Sequence, residues 1–208
     1  MMSSRSQFPA LLHAERQGRV TFLARGPEEA HYWSVLALNH GGLRGWVAGT
    51  THYVIEETIE TWIDPPATEN WRRAWSGGGG SLPTPMVFVE AGGLGDWLLI
   101  SASETADILG RRGLHWALAV SRPEGQWLAV PPLGYVSHDG APAFDPLCGD
   151  REIITSLNEA MHVLAALSVR LAAGSLRLTQ LSDTVDLPVL KKGPGQAIVN
   201  EWYAVTRR

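Results

Sequence analysis

Residues 152–173 carry large apolar side chains at helical spacing: Ile154, Leu157, Met161, Leu164 and Leu171. Alanine, valine and leucine fill much of the remaining surface, so a helix here is buried on more than one side. Asp150 can cap its start and Gly174 can end it. Such a helix needs a broad apolar partner, which the rest of the chain has to supply as a sheet. It does not read as a membrane span. Its most apolar stretch, residues 163–173, is short and contains Arg170, and a span needs about 18 or more apolar residues.

The strands are clearest after residue 85. Residues 86–90 and 97–101 are apolar runs, and Gly92-Gly93-Leu94-Gly95-Asp96 between them is a hairpin loop. Residues 114–120 alternate like a strand, and Pro123-Glu124-Gly125 turns the chain into residues 127–130. Pro131-Pro132 interrupts. Tyr135-Val136-Ser137 and Ala143-Phe144 then flank the turn His138-Asp139-Gly140. This is an antiparallel meander. Ser101 and Glu104 have capping-box spacing and predict a short helix through Leu109.

Upstream, residues 20–24 form a short strand. Residues 51–63 have the β-branched content of a strand, but Ile55, Ile59, Trp62 and Ile63 fall on one helical face, and the spacing predicts a helix. At the other end, residues 196–205 predict a strand paired inside the main sheet, with Trp202 on one face and Tyr203 and Val205 on the other. The expected fold class is α+β: an antiparallel sheet of meander and hairpins packed on one long apolar helix, with a C-terminal strand. Residues 1–208 read as a single domain. A flexible glycine-rich internal loop lies around 76–85, where Gly77 to Gly80 are followed by Pro83 and Pro85.

Composition bounds the function. Hydrophobic residues are 45% and charged residues 18% of the 208, a globular balance. Cys148 is the one cysteine, so no intrachain disulfide forms. With no leader pattern in the first residues, the expected location is the cytoplasm, with no membrane partner. The net charge of −4 argues against coating nucleic acid without sequence preference and leaves only a local basic patch for that role. Nine tryptophans outnumber the four phenylalanines and four tyrosines, and tryptophan is enriched in protein interfaces.

Motifs with specific chemistry are absent. Gly92-Gly93-Leu94-Gly95 precedes a strand, whereas a phosphate loop needs a helix N-terminus after it. The histidines at 13, 31, 40, 52, 115, 138 and 162 form no ligand-spaced pair, so no metal is expected, and no cofactor either. There is no Gly-x-Ser-x-Gly elbow, and Cys148 has no local protease signature around it. Glu56, Glu57 and Glu60 read as a solvated face. No catalytic residue is assigned. Lys191, Lys192, Arg207 and Arg208 are candidate binding residues for phosphate or an acidic partner. His115, His138, Asp139 and Cys148 lie in or beside the meander and are the alternative candidates for a pocket.

The tail from Gly193 to Val205, with Gly195, Ile198-Val199, Glu201-Trp202-Tyr203 and Val205, resembles a C-terminal segment of uncharacterised small bacteriophage proteins. Those proteins also carry a long apolar helix shortly before it, matched here by residues 152–173. The resemblance covers the last third of the chain and implies a phage accessory protein, located in the host bacterial cytoplasm if the chain is phage-encoded. The first expectation is a non-enzymatic protein that binds a host or phage macromolecule, a protein partner above all, for example in anti-defence or host takeover. The second is an enzyme or small-ligand binder with a site assembled from the scattered histidine, aspartate and cysteine residues above. The third is a virion structural component.

Overall fold

A computed structural model describes residues 6–23, 50–63, 82–93, 95–106, 112–137, 142–144, 151–181 and 201–208. Helix α1 (Phe8–Arg16) leads into β1 (Val20–Phe22). Then come β2 (Thr51–Thr58), the single turn α2 (Ile59–Trp62), β3 (Met86–Gly92), β4 (Trp97–Ala106) and β5 (Arg112–Arg122). A tight turn at Pro123–Gly125 enters β6 (Gln126–Ser137), followed by β7 (Pro142–Phe144), helix α3 (Arg151–Ala172), β8 (Leu176–Gln180) and β9 (Glu201–Arg207).

The strands form one nine-stranded sheet in the order β1-β6-β5-β4-β3-β2-β9-β8, with β7 also on β6. The meander β3 to β6 is antiparallel throughout. The sheet as a whole is mixed, which corrects the expectation of an antiparallel sheet on one helix. β2 runs parallel to both β3 and β9, and β1 runs parallel to β6.

The expectation of a single covering helix fails for a second reason. β3 is buried on both faces from Val87 onward, so each face needs a cover. On one face α2 and α3 enclose Tyr53, Ile55, Val87, Val89, Leu98, Ile100, Leu118 and Val205 together with Met161 and Leu164. On the other face α1 lays Phe8, Leu11, Leu12 and Ala14 on Phe88, Leu99, Ala119, Trp127 and Trp202. Strands covered on both faces read as continuous apolar runs rather than alternating ones. Val87-Phe88-Val89 and Leu98-Leu99-Ile100 are such runs.

Sheet pairing overrides local spacing in several places. Residues 101–106 continue β4 and pair with β5, so the capping-box helix does not form. Glu104 instead accepts a hydrogen bond from the Leu82 N–H at 2.6 Å. Residues 51–58 are strand and only 59–62 turn helical, with the Thr58 hydroxyl capping Thr61 N–H. β6 runs through Pro131-Pro132 because the ladder slips there: Val130 faces Leu118 and Gly134 faces Trp116. Prolines are tolerated at such an irregularity, where no ladder hydrogen bond is required of them. Helix α3 ends as expected, at Gly174 with φ +64°, a left-handed conformation that favours glycine. β9 lies inside the sheet, with Trp202 in the α1 core and Val205 in the α3 core. The rest of the predicted strand, residues 196–200, and residues 76–81 of the glycine-rich loop lie outside the described residues.

Candidate functional site

Two polar constellations stand out, one closed and one open. The closed one is in the α1 core. The His52 and Glu90 side chains are fully buried and meet at 2.5 Å, Nε2 to Oε1. β2 and β3 hold them one above the other on the same face, since His52 pairs with Phe88 and Val54 with Glu90. The Ser6 hydroxyl donates to Glu90 Oε1 at 2.6 Å and the Gln7 N–H to Oε2 at 2.5 Å. The carboxylate therefore receives the first turn of α1, where unpaired N–H groups and the helix dipole favour negative charge. The His52 ring stacks on Trp202, with centroids 3.5 Å apart, and packs edge-on to Phe88. Burial pushes the imidazole pKa down, against the opposing pull of Glu90's charge and hydrogen bond. Ser6, Glu90 and His52 are the residue types of a catalytic triad in the wrong order. The carboxylate stands between hydroxyl and imidazole, so the histidine cannot take the serine proton. This group anchors structure.

The open constellation is a cleft of about 560 Å³ at the end of the sheet where the β3–β4 and β5–β6 turns meet α2 and the first half of α3. Glu60 of α2, Asp96 of the hairpin loop and Glu159 of α3 supply its carboxylates, Ser121, Thr155 and Ser156 its hydroxyls, and Arg122 one guanidinium. Asp96 and Glu60 converge above Gly93. A methyl group there would lie 2.5 Å from Asp96 Oδ1 and 3.6 Å from Glu60 Oε1, so the close approach depends on glycine. The loop is closed by the Gly93 N–H donating to the Asp96 carbonyl at 2.8 Å. Half-buried Glu159 has its carboxyl pKa raised, first by burial and then by the charges of Asp96 and Glu60. The cleft thus gathers three carboxylates against one guanidinium. Among the described residues no group of three or more His, Cys, Asp or Glu side chains is placed to hold a metal ion.

The protein-family profiles, curated proteins and solved structures contain no match to this chain. The site has to be read from its own chemistry.

Of the residues singled out in the sequence, Arg207 forms an ion pair with Glu57, and its backbone N–H donates to Glu57 Oε1 at 3.1 Å. Arg208 closes the sheet edge through its N–H to the Ser175 carbonyl at 3.0 Å. His115 lies in β5 opposite Ser103 and Tyr135. His138, Asp139, Cys148, Lys191 and Lys192 lie outside the described residues. Sequence reasoning missed the cleft, because its acids come from three separate elements. Glu56, Glu57 and Glu60 read as one solvated face, and Glu56 and Glu60 are indeed exposed, but Glu57 pairs with Arg207 and Glu60 also lines the cleft. Four tryptophan side chains fall among the described residues. Trp62, Trp127 and Trp202 are core residues, and Trp97 packs half-buried against the α1 core. Among the described residues no helix is long and apolar enough to cross a membrane.

Proposed function

We propose that this chain is a non-enzymatic binding protein that takes a basic segment of a partner protein into the Glu60–Asp96–Glu159 cleft. The observation that carries the reading is Glu159. Its carboxyl is raised by burial and by two neighbouring carboxylates, so a lysine or arginine side chain entering the cleft relieves their mutual repulsion and is held by them. Ser121, Thr155 and Ser156 supply further hydrogen-bonding groups at the rim. The net charge of −4 adds long-range attraction for such a partner. The likeness of the last third to small bacteriophage proteins supports a phage accessory role in the bacterial cytoplasm, with a host or phage macromolecule as the partner.

The test is capture from bacterial lysate by the intact chain and by the triple variant Glu60→Gln, Asp96→Asn, Glu159→Gln, at low and high salt. A protein retained by the natural chain, released by salt and absent from the triple variant is the expected result. Identical captures by both chains would refute the reading.

The raised Glu159 also supports a second reading, an enzyme using carboxylates as acid and base, since such pairs work by environments that push their pKa values apart. Turnover of a small substrate that Glu159→Gln abolishes, with no protein captured, would favour it.

A further inference from the structure

The His52–Glu90 group has a property that a purely structural anchor does not need: every contact the carboxylate makes is with a donor. The Ser6 O–H, the Gln7 N–H and the His52 Nε2–H all point at its two oxygens. The arrangement fits a carboxylate better than the protonated acid, because hydrogen bonds to a charged acceptor are the stronger ones. If a further proton goes to Glu90, the Ser6 hydroxyl can turn to accept it, but the Gln7 N–H and the His52 Nε2–H lose a charged acceptor and the negative charge at the start of α1 is gone. If it goes to His52, it goes to Nδ1, which is buried and has no hydrogen-bond partner among the described residues. A buried N–H without an acceptor is costly.

The parts of this group are held by different elements. His52 and Glu90 are fixed by the β2–β3 ladder, which is flanked by β4 and β9. Ser6 and Gln7 belong to the lead of a nine-residue helix lying on the outside of the sheet. That helix joins β1 through Gly18, at φ +68°. The element that can leave is therefore α1. We infer that His52 and Glu90 form an acid-operated latch, which holds α1 against the sheet near neutral pH and releases it when the pair takes up a proton.

The elements packed on His52 contribute Phe8 from α1, Phe88 and Glu90 from β3 and Trp202 from β9, so the carboxylate of Glu90 is the charged group in contact with it among these. His13 and Arg16 sit in the last turn of α1, away from the latch. Burial holds the His52 imidazole below its ordinary 6.5 when α1 is docked. The docked state is thus fully favoured above that value and loses its advantage as pH falls from 6.5 through the lowered one. Release uncovers Phe88, Leu99, Ala119, Trp127 and Trp202, the apolar face that Phe8, Leu11 and Leu12 occupy.

The test is amide hydrogen exchange on the full chain at pH 7 and pH 5, expressed as protection factors so that the intrinsic pH dependence of exchange is removed. Protection over residues 8–16 should fall at least tenfold at pH 5, while residues 87–91 of β3 keep theirs. Glu90→Gln should leave residues 8–16 unprotected at both pH values. Ser6→Ala, which removes one donor from the α1 side and leaves the core untouched, should move the midpoint of release to higher pH, and it serves where Glu90→Gln fails to fold. Equal protection at both pH values, loss of protection in α1 and β3 together, or an unmoved midpoint in Ser6→Ala would each overturn the latch.

Discussion

Removing residues 201–208 is a severe test of how the sheet is held together. β9 is an interior strand, hydrogen-bonded to β2 along Thr51–Ile55 and to β8 along Leu176–Gln180. The deletion takes away Trp202, Ala204 and Val205, which are 8%, 5% and 0% exposed, and half-buried Tyr203, stacked on Tyr53 with ring centroids 6.1 Å apart. At about 1.5–3 kcal/mol for each fully buried large side chain, Trp202 and Val205 contribute about 5 kcal/mol, and Ala204 with Tyr203 about 2 more. The freed ladder groups of β2 and β8 return to water and add little. A loss of about 7 kcal/mol compares with a total stability of about 5–15 kcal/mol for a domain. The truncated protein should therefore lose its near-ultraviolet circular dichroism and show no cooperative urea transition. Removing only Arg207 and Arg208 supplies the control. The Arg207–Glu57 pair has side chains 41% and 21% exposed, and such pairs contribute about 0–1 kcal/mol. A 1–200 fragment that unfolds cooperatively, with the slope and midpoint of the full chain, would refute the placement of β9 as a structural strand.

Trp62 is fully buried; its indole N–H donates to the Val163 carbonyl at 3.5 Å, and the Arg170 guanidinium lies 4.6 Å from its ring centroid. Trp62→Ala should cost about 3–5 kcal/mol in urea unfolding, and Trp62→Phe much less, since most of the buried area survives. Glu104→Ala leaves the Leu82 N–H without its 2.6 Å acceptor and should cost about 1–2 kcal/mol by the same assay. For Glu57, burial pushes the carboxyl up, but the hydrogen bonds and charge of Arg207, helped by Arg170, outweigh it and hold the pKa below its ordinary 4.5. That stabilisation is present above 4.5 and lost as pH falls through the lowered value, and Arg207→Ala should flatten this part of the stability profile measured between pH 3 and 6. Glu159→Gln removes repulsion from Asp96 and Glu60 and should raise the melting temperature slightly at pH 7 while weakening capture of a basic partner.

The strands were legible because the meander signals itself locally: apolar runs at 86–90 and 97–101, a glycine-rich hairpin loop and the Pro123-Glu124-Gly125 turn. Strand direction was not. β2 pairs parallel with β3 and β9 through long connections, and nothing in residues 51–58 says which way the neighbours run. The second covering helix had a signal that single-helix reasoning passed over. Val87-Phe88-Val89 is apolar at consecutive positions, and a strand with one wet face would alternate. Glu90 directly after that run and His52 inside Thr51-His52-Tyr53-Val54-Ile55 are the visible trace of the latch: isolated ionisable residues in strands that need burial. Their pairing across 38 positions could not be read along the chain. The cleft left no trace at all, because Glu60, Asp96 and Glu159 are ordinary surface residues until three elements bring them together.

The position of β9 between β2 and β8 also sets an order of events during synthesis. Thr51 pairs with Glu201, so β2 must wait for a partner 150 residues further along. At about 5–20 residues per second, the wait is roughly 8 to 30 s. The meander β3 to β6 needs only near neighbours and can assemble while the rest is still being made. Contacts closed over such long separations make folding slow. Throughout that interval β2 presents an unpaired backbone edge beside apolar side chains, and an unpaired edge is a template for pairing with another chain. The nascent chain therefore passes through a stage at which shielding of one strand decides between folding and aggregation.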